Sequence, residues 1–330
     1  MFALSSRATE NNPLNFNRKN FMFNINQTKS NTHSRRVRQP ETRPAVKGKK
    51  LEHPSARGPL VFADTAVIDD IRPLYKAGII SGVTTNPSLI KMAGATNWSE
   101  AVDIAKELIK LVTPGPVLLE LTELTEDAMV KQAVEFSTWG DNVVIKVPVG
   151  GYEAVDRSYD RFTGLKVLRA LWEKDIKCAA TLVFNSTQAV WAANAGALFI
   201  APFLGRLGDY AYKNDNPEKQ VGNSLYSIED HKNANNDQNV FNTEYVACGG
   251  ARKDIGPRLI QEISAIFTNY DIGTQILAAS FRNFAQLSEC LLAGVDILTV
   301  PANILNDVSE HPLTSLGMEN FFKDSKVFVD

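Results

Sequence analysis

One lysine sits where lysine is seldom found. Val143-Val144-Ile145-Lys146-Val147-Pro148 is an apolar, β-branched run bounded by Asp141-Asn142 and closed by a proline, the pattern of a strand covered on both faces. A buried lysine needs a reason: Lys146 must pair with a carboxylate, reach the strand end, or give up its proton. The first two outcomes make a structural ion pair. The third makes a nucleophile that condenses with a ketone or aldehyde to form an imine.

Burial alone does not choose between these readings, but the polar residues that end neighbouring apolar runs bear on the choice. They are Asp64, Thr84, Asn86, Glu120, Thr181, Arg206, Ser280 and Arg282. With Lys146 they supply one amine, two carboxylates and two guanidiniums, a set suited to carbonyl chemistry through an imine. Lys146 attacks a ketone, and the iminium draws electrons so that the adjacent C–C bond breaks as a retro-aldol. Asp64 is placed to take the C4 hydroxyl proton and return it to an acceptor. Glu120 activates the water that forms and hydrolyses the imine, with Thr181 positioning it. Arg206, Arg282 and Ser280 suit a phosphate, which guanidinium binds in bidentate fashion. The scheme requires no metal and no cofactor. Each residue also has a plain structural reading: Asp64 as a helix cap, Asn86-Pro87-Ser88 as a helix start, Glu120 as the partner of a surface lysine.

These residues form one site only if successive strand ends converge. From Leu60 onward, short apolar runs at 60–63, 82–84, 117–121, 143–147, 178–183, 198–201, 275–279 and 297–300 alternate with amphipathic segments at 67–77, 98–111, 126–139, 164–174, 186–194, 255–270 and 283–293. Eight strands separated by helices predict a (β/α)8 barrel, an α/β fold whose chemistry sits at the C-terminal strand ends. An Ala-Gly pair recurs before three of the strands, at Gly78, Gly196 and Gly294, where glycine serves as a left-handed helix stop.

Other chemistries lack their residues. Four histidines without an HExxH or Ser/His/Asp pattern exclude most metallohydrolase and serine-hydrolase readings. The three cysteines, Cys178, Cys248 and Cys290, form no CxxC pair and suggest neither a disulfide framework nor a zinc site. There is no GxGxxG after the first strand and no GxxxxGK[ST], so dinucleotide and P-loop readings are weak. No apolar run approaches the roughly 20 residues needed to cross a bilayer, and a soluble protein in a reducing compartment is expected.

Charge divides the chain. Residues 1–50 carry 11 Lys/Arg against 2 Asp/Glu, whereas the remainder carries 24 against 35. Residues 1–57 are rich in Asn, Arg and Ser and poor in aliphatics, the composition of a disordered leader. Three readings of it stand: an organellar transit peptide, a nucleic-acid tail, or a plain solvated extension. A second irregular stretch, 209–253, is Asn/Asp/Lys-rich and too long for an ordinary barrel connection. It reads as an insertion after the sixth strand, either a lid or disordered.

Six motifs, in order, resemble the transaldolase family: Phe62-Ala63-Asp64-Thr65-Ala66, Gly82-Val83-Thr84-Thr85-Asn86-Pro87-Ser88-Leu89-Ile90, Ile145-Lys146-Val147-Pro148, Ala180-Thr181-Leu182-Val183-Phe184, Ala201-Pro202-Phe203-Leu204-Gly205-Arg206 and Ala278-Ala279-Ser280-Phe281-Arg282-Asn283. The resemblance covers residues 60 to about 325 apart from the insertion. It implies a class I aldolase barrel with Lys146 as the Schiff-base lysine, acid-base roles for Asp64 and Glu120, hydroxyl binding by Asn86 and phosphate binding by Arg206, Ser280 and Arg282.

The family holds both transaldolases and fructose 6-phosphate aldolases. Glu120 stands where the aldolases carry glutamine and Phe203 where they carry tyrosine, both features of transaldolase; Ala201, where transaldolases usually have serine, and the run 277–281 are aldolase-like. The expected activity is transfer of a dihydroxyacetone unit from sedoheptulose 7-phosphate or fructose 6-phosphate to an aldose phosphate, in the pentose phosphate pathway. The alternatives are a lyase, or a non-catalytic barrel that binds sugar phosphates. Sugar phosphates are the expected partners, with no nucleic acid and no membrane, in a homo-oligomer built through a C-terminal helix near 314–326. Its Phe321-Phe322 pair reads as an interface or as a cap over the barrel bottom. A cytoplasmic location is expected, or an organellar one if the leader is a transit peptide.

Overall fold

The computed structural model describes residues 58–151, 160–215 and 254–328. The expected leader, 1–57, lies outside them, as does the expected insertion from residue 216 onward. Eight strands, β1 (Leu60–Asp64), β2 (Gly82–Thr84), β3 (Val117–Glu120), β4 (Val143–Pro148), β5 (Cys178–Val183), β6 (Phe199–Pro202), β7 (Gln275–Ala278) and β8 (Ile297–Val300), pair in sequence order and close into a barrel. Every pairing is parallel, including the closing one between β1 and β8. The predicted (β/α)8 architecture is the observed one.

The two-residue period of a strand sorts its side chains between barrel interior and helix layer. Phe62, Leu118, Val144, Ala179, Phe199, Leu277 and Ile297 form an apolar layer inside the barrel, while Ala63, Val83, Val117, Val143, Ile145, Ala180, Ile200 and Leu298 pack outward under the helices. β2 contributes Gly82 to the interior, where an added Cβ would lie 2.8 Å from the Phe62 ring; the phenylalanine occupies the space a side chain there would need. Two residues beyond that layer come Asp64, Thr84, Glu120, Lys146, Thr181 and Thr299. The same alternation that packs the core therefore aims the polar set at one end of the barrel.

Helices α1 (Ile68–Lys76), α2 (Pro87–Met92), α3 (Trp98–Val112), α4 (Glu126–Ser137), α5 (Thr163–Glu173), α6 (Ser186–Asn194), α7 (Leu204–Asp215), α8 (Ile255–Asn269), α9 (Phe284–Ala293), α10 (Ala302–Ser309) and α11 (Pro312–Ser325) follow the strands. Asparagine caps recur at α2, α3, α6 and α9, where Asn86, Asn97, Asn185 and Asn283 each accept a backbone N–H three residues on. Gly78, Gly196 and Gly294 all have positive φ, as their place after a helix predicts.

Three helices differ from the sequence reading. α2 is short and starts at Asn86-Pro87-Ser88, the plain structural reading of that run, though it is absent from the amphipathic segments, and short α10 has no counterpart in the sequence reading. α7 runs through Asp209, where composition had placed the start of an irregular insertion; buried Leu204 and Gly208 and half-buried Leu207 give it an inward side, but the polar run that follows masks the period. The C-terminal helix is present as α11, and Phe321 and Phe322 on it are exposed by 75% and 66%, so they do not cap the barrel bottom.

α8 and α9 enclose two buried acids. Asp254 caps α8, accepting from Gly256 N at 2.9 Å and from Gln286 Nε2 at 2.8 Å. Glu289 on α9 is buried, and neither of its oxygens meets a donor among the described residues. Burial, then the Asp254 charge, pushes the Glu289 carboxyl up to about 7; burial is also the main cause that lifts Asp254 to about 6. Both hold protons more tightly folded than unfolded, so their contribution to stability is full below the unfolded carboxylate values and is lost as pH rises through about 6 to 7. Glu289→Gln should therefore raise the thermal midpoint by a few degrees at pH 8 and by little at pH 5. Equal shifts at both pH values would show that ionisation of Glu289 is not what burial opposes.

Candidate active site

At the C-terminal end of the barrel a cavity of about 150 Å³ is lined by Asp64, Thr84, Asn86, Lys146, Phe203, Arg206, Ser280 and Arg282, together with Ala201, Thr299 and others. Eight of the ten predicted site residues thus share one space. Glu120 and Thr181 are outside its lining. Glu120 joins the set through Lys146, and Thr181 through its place at the end of β5.

Lys146 is 3% exposed. Its ammonium lies 3.1 Å from Glu120 Oε2 and donates to the Thr85 carbonyl oxygen at 3.1 Å. Both structural alternatives for a buried lysine meet here: it is paired with an acid, and it faces a cavity. Register explains the pair, because Glu120 and Lys146 are direct partners across the β3–β4 ladder with the same inward orientation.

Asp64, half-buried at the end of β1, accepts the Thr84 hydroxyl at 2.8 Å. Burial raises its carboxyl above the ordinary aspartate value, opposed by the Lys146 charge, the Thr84 hydrogen bond and the Arg282 charge. A carboxylate held in such balance can both take and return a proton. The Thr299 hydroxyl lies 2.5 Å from that of Thr84.

Thr181 is fully buried, and its hydroxyl has no hydrogen-bond partner among the described residues. β5 is irregular there: its register against β6 shifts between Ala180 and Val183, and Leu182 has φ +57°. The bulge turns Leu182 inward beside Thr181, where it packs against the interior cluster instead of the helix layer.

The cationic side of the cavity is built by β6, β7 and the helices after them. Ser280 sits at φ +72°, a left-handed conformation unusual for serine. Its hydroxyl accepts from Arg206 N and from Arg282 Nη1, both at 3.2 Å. Gly205 lies so close to the Ser280 carbonyl that any Cβ would collide with it. Asp209 on α7 holds Arg282 through Nε at 3.0 Å and Nη2 at 2.9 Å, and the backbone N–H of Arg282 donates to Gln286 Oε1 at 2.8 Å. Phe203 lies between the cations, its ring centre 5.6 Å from Lys146 Nζ and 5.2 Å from the Arg206 guanidinium carbon. An open face of two guanidiniums, one hydroxyl and the first turn of a helix suits a phosphate.

A larger, mostly apolar hollow of about 710 Å³ lies outside the barrel among α2, α3 and α4, reaching Glu120 and Asn86 from behind. Lys91 and Glu120 are the only charged residues in its lining. Convergent ionisable groups, not volume, mark the smaller cavity as the site.

Sequence reasoning missed Thr299, Asp209 and the carbonyl of Thr85. Thr299 had a usable signal, since it lies two residues beyond inward-facing Ile297. Asp209 had none: composition assigned it to the insertion. No group of three or more His, Cys, Asp or Glu side chains that could hold a metal occurs among the described residues.

Comparison with known proteins agrees with the motifs. A family model described as transaldolase/fructose-6-phosphate aldolase matches residues 61–328. A protein of Thermodesulfovibrio yellowstonii named probable transaldolase is 34% identical over 263 residues, covering 80% of this chain and 96% of its own length. Proteins of the same name from Desulforapulum autotrophicum and Bartonella henselae are 36% and 33% identical over 265 residues, covering 80% of this chain and 96% and 95% of their own lengths. The chain belongs to the transaldolase/fructose-6-phosphate aldolase family.

Proposed function

We infer that the protein is a transaldolase that moves a dihydroxyacetone unit between sugar phosphates through an imine on Lys146. The observation that carries this reading is a buried lysine ion-paired to Glu120 and facing a cavity that also holds Asp64 and two arginines. Lys146 passes its proton to Glu120, and the neutral amine adds to the C2 carbonyl of a ketose phosphate; loss of water gives the iminium. Asp64 takes the C4 hydroxyl proton as the C3–C4 bond breaks, and the electron pair moves into the iminium to give an enamine while the aldose leaves. The enamine carbon then attacks the carbonyl of an acceptor aldose phosphate, Asp64 returns the proton to the new hydroxyl, and water hydrolyses the iminium. Thr181, with its buried hydroxyl, positions that water. Arg206, Ser280 and Arg282 bind the phosphate, and Asn86 binds substrate hydroxyls. Fructose 6-phosphate and sedoheptulose 7-phosphate are the donors of this reading, which places the protein in the pentose phosphate pathway.

The cavity is small beside the roughly 300–1,000 Å³ of ordinary ligand pockets, in keeping with a three-carbon fragment held deep and the rest of the sugar phosphate in the mouth. One feature favours the lyase reading: Ala201 lines the cavity and offers no hydroxyl to the donor. Phe203 favours transfer, because a ring without a hydroxyl beside Lys146 cannot protonate the enamine, which then waits for an aldehyde.

Borohydride added with fructose 6-phosphate should reduce the imine and leave a stable adduct on Lys146. Lys146→Met should abolish both adduct and turnover, and an adduct persisting in that variant would sink the assignment. Phe203→Tyr places a proton donor beside the enamine and should raise dihydroxyacetone release roughly tenfold or more at the expense of transfer; release unchanged in a folded variant would remove Phe203 from the partition.

Leu313, Leu316, Met318, Phe321 and Phe322 are exposed on α11, and in this reading they pack against a second copy. Light scattering should then report a homo-oligomer, and a monomer would overturn that part of the reading.

A further inference from the structure

β8 supplies the site with one polar side chain. Thr299 is 1% exposed, faces the barrel interior two residues beyond Ile297, and reaches across β1 to lie 2.5 Å from the Thr84 hydroxyl. Thr84 is also 1% exposed, and its hydroxyl is 2.8 Å from Asp64 Oδ1. Three oxygens from β8, β2 and β1 therefore form a chain that ends at the cavity.

Counting protons gives this chain a direction. A threonine hydroxyl has one proton to donate and can accept another. If Asp64 is ionised, Thr84 must donate to it, and the short contact behind Thr84 is then bridged by the Thr299 proton. Both hydroxyl protons are used and nothing is orphaned. If the chain ran the other way, from a protonated Asp64 Oδ1 through Thr84 to Thr299, the Thr299 proton would need a further acceptor. Among the described residues Thr84 is its sole hydrogen-bond partner, and a buried donor left unmade is costly. The arrangement is satisfied in one sense only, and bonds aligned in one sense strengthen each other.

We propose that Thr299 is a positioning residue for proton transfer in this site: its hydroxyl commits the single proton of Thr84 to Asp64, which is thereby held as a carboxylate directed at the substrate. Thr299 lines the cavity behind Thr84, and its hydroxyl reaches Asp64 only through Thr84. The charged groups that share the cavity with Asp64 are Lys146 from β4, paired with Glu120 of β3, Arg206 from α7, and Arg282 from the turn after β7, paired with Asp209. The cations favour the same carboxylate, while burial opposes it. The relay adds to the favourable side without placing another charge in the cavity. The inference rests on the reading of Asp64 as the base in imine chemistry.

Thr299→Val keeps the shape and removes the proton; Thr299→Ser keeps the proton. With fructose 6-phosphate as donor and an aldose phosphate as acceptor, the valine variant should shift the acid limb of kcat/KM upward by roughly half to one pH unit. That is about a three- to tenfold loss below the limb, fading at higher pH. The serine variant should keep the wild-type limb. In a Thr84→Val background, the further change Thr299→Val should shift nothing, because the link it acts through is gone. Borohydride adduct formation should persist in every variant. An acid limb unmoved in Thr299→Val, or moved equally in the Thr84→Val background, overturns the proposal while leaving Lys146 chemistry intact. Absence of an adduct in the wild-type protein overturns the imine reading and the proposal with it. Should the valine variant not fold, Thr299→Ala carries the same expectations.

Discussion

An ammonium and a carboxylate share the barrel interior, and the site depends on their being tolerated there. Taking two ions out of water costs several kcal/mol each, and their attraction offsets this only when geometry is good and further hydrogen bonds are made. Lys146 and Glu120 meet these conditions in part: their charged atoms are 3.1 Å apart and Lys146 also donates to the Thr85 carbonyl, while buried Glu120 Oε2 accepts no hydrogen bond among the described residues. Removing one partner alone would leave a buried charge at a cost of roughly 3–5 kcal/mol. The ladder keeps them together. A one-residue slip of β4 against β3 would send Lys146 outward among helices and bring Ile145 or Val147 into the cavity. Register is in turn held by Val117, Val143 and Ile145 packing outward while Leu118 and Val144 pack inward. The ion pair is thus as secure as the apolar layers below and behind it.

The opposite wall is built on a different principle. In the proposed function this wall binds phosphate, and a bent backbone gathers its cationic side chains at one side of the cavity. Ser280 adopts its left-handed conformation where Gly205 of α7 presses against its carbonyl. Close approach of two backbones brings Arg206 N–H to the Ser280 hydroxyl and leaves both guanidiniums at the rim. Asp209 then fixes Arg282 from behind through two of its nitrogens. Strain of this kind persists where surroundings over-determine it, and the surroundings are β6, β7 and the first turn of α7.

What the chain made legible follows from how local each signal is. A lysine inside a β-branched run, carboxylates at strand ends and glycines after helices are read within a few residues, and the barrel followed from counting alternations. Contacts created by barrel closure are not local. Thr299 meets Thr84 across 215 positions of sequence, and the pairing exists only because β8 returns to β1. Asp209 was hidden for another reason: its helix begins two residues after β6 ends and runs into a polar stretch, so composition outweighed a short apolar period. The cavity also divides the site more finely than strand-end positions do, since Glu120 lies behind Lys146 and Thr181 beside a bulge. Residue type and strand position indicated chemistry; which groups face the same space depended on stagger and on Leu182.

Phe203 joins the two walls. Its ring stands within cation–π reach of Lys146 on one side of the chemistry and of Arg206 on the other, and the Phe184 ring packs against it edge-on at 6.1 Å. A tyrosine could occupy the same space, since only a hydroxyl separates the two rings. The consequence of that hydroxyl is chemical. An enamine on Lys146 is quenched by any proton donor at its carbon and preserved where the neighbouring surface has none. Asp64 is the acid available on the β1 side, and in the proposed mechanism the C4 hydroxyl proton it takes is the one it returns to the acceptor's new hydroxyl. Under the proposed function, a site that spends its one mobile proton on the incoming aldehyde and presents an aromatic face to the waiting enamine would be organised for exchange between two sugars. In that reading the balance between release and transfer would be set by the dryness of one ring face, while the lysine, its carboxylate partner and the cationic wall would serve both outcomes equally.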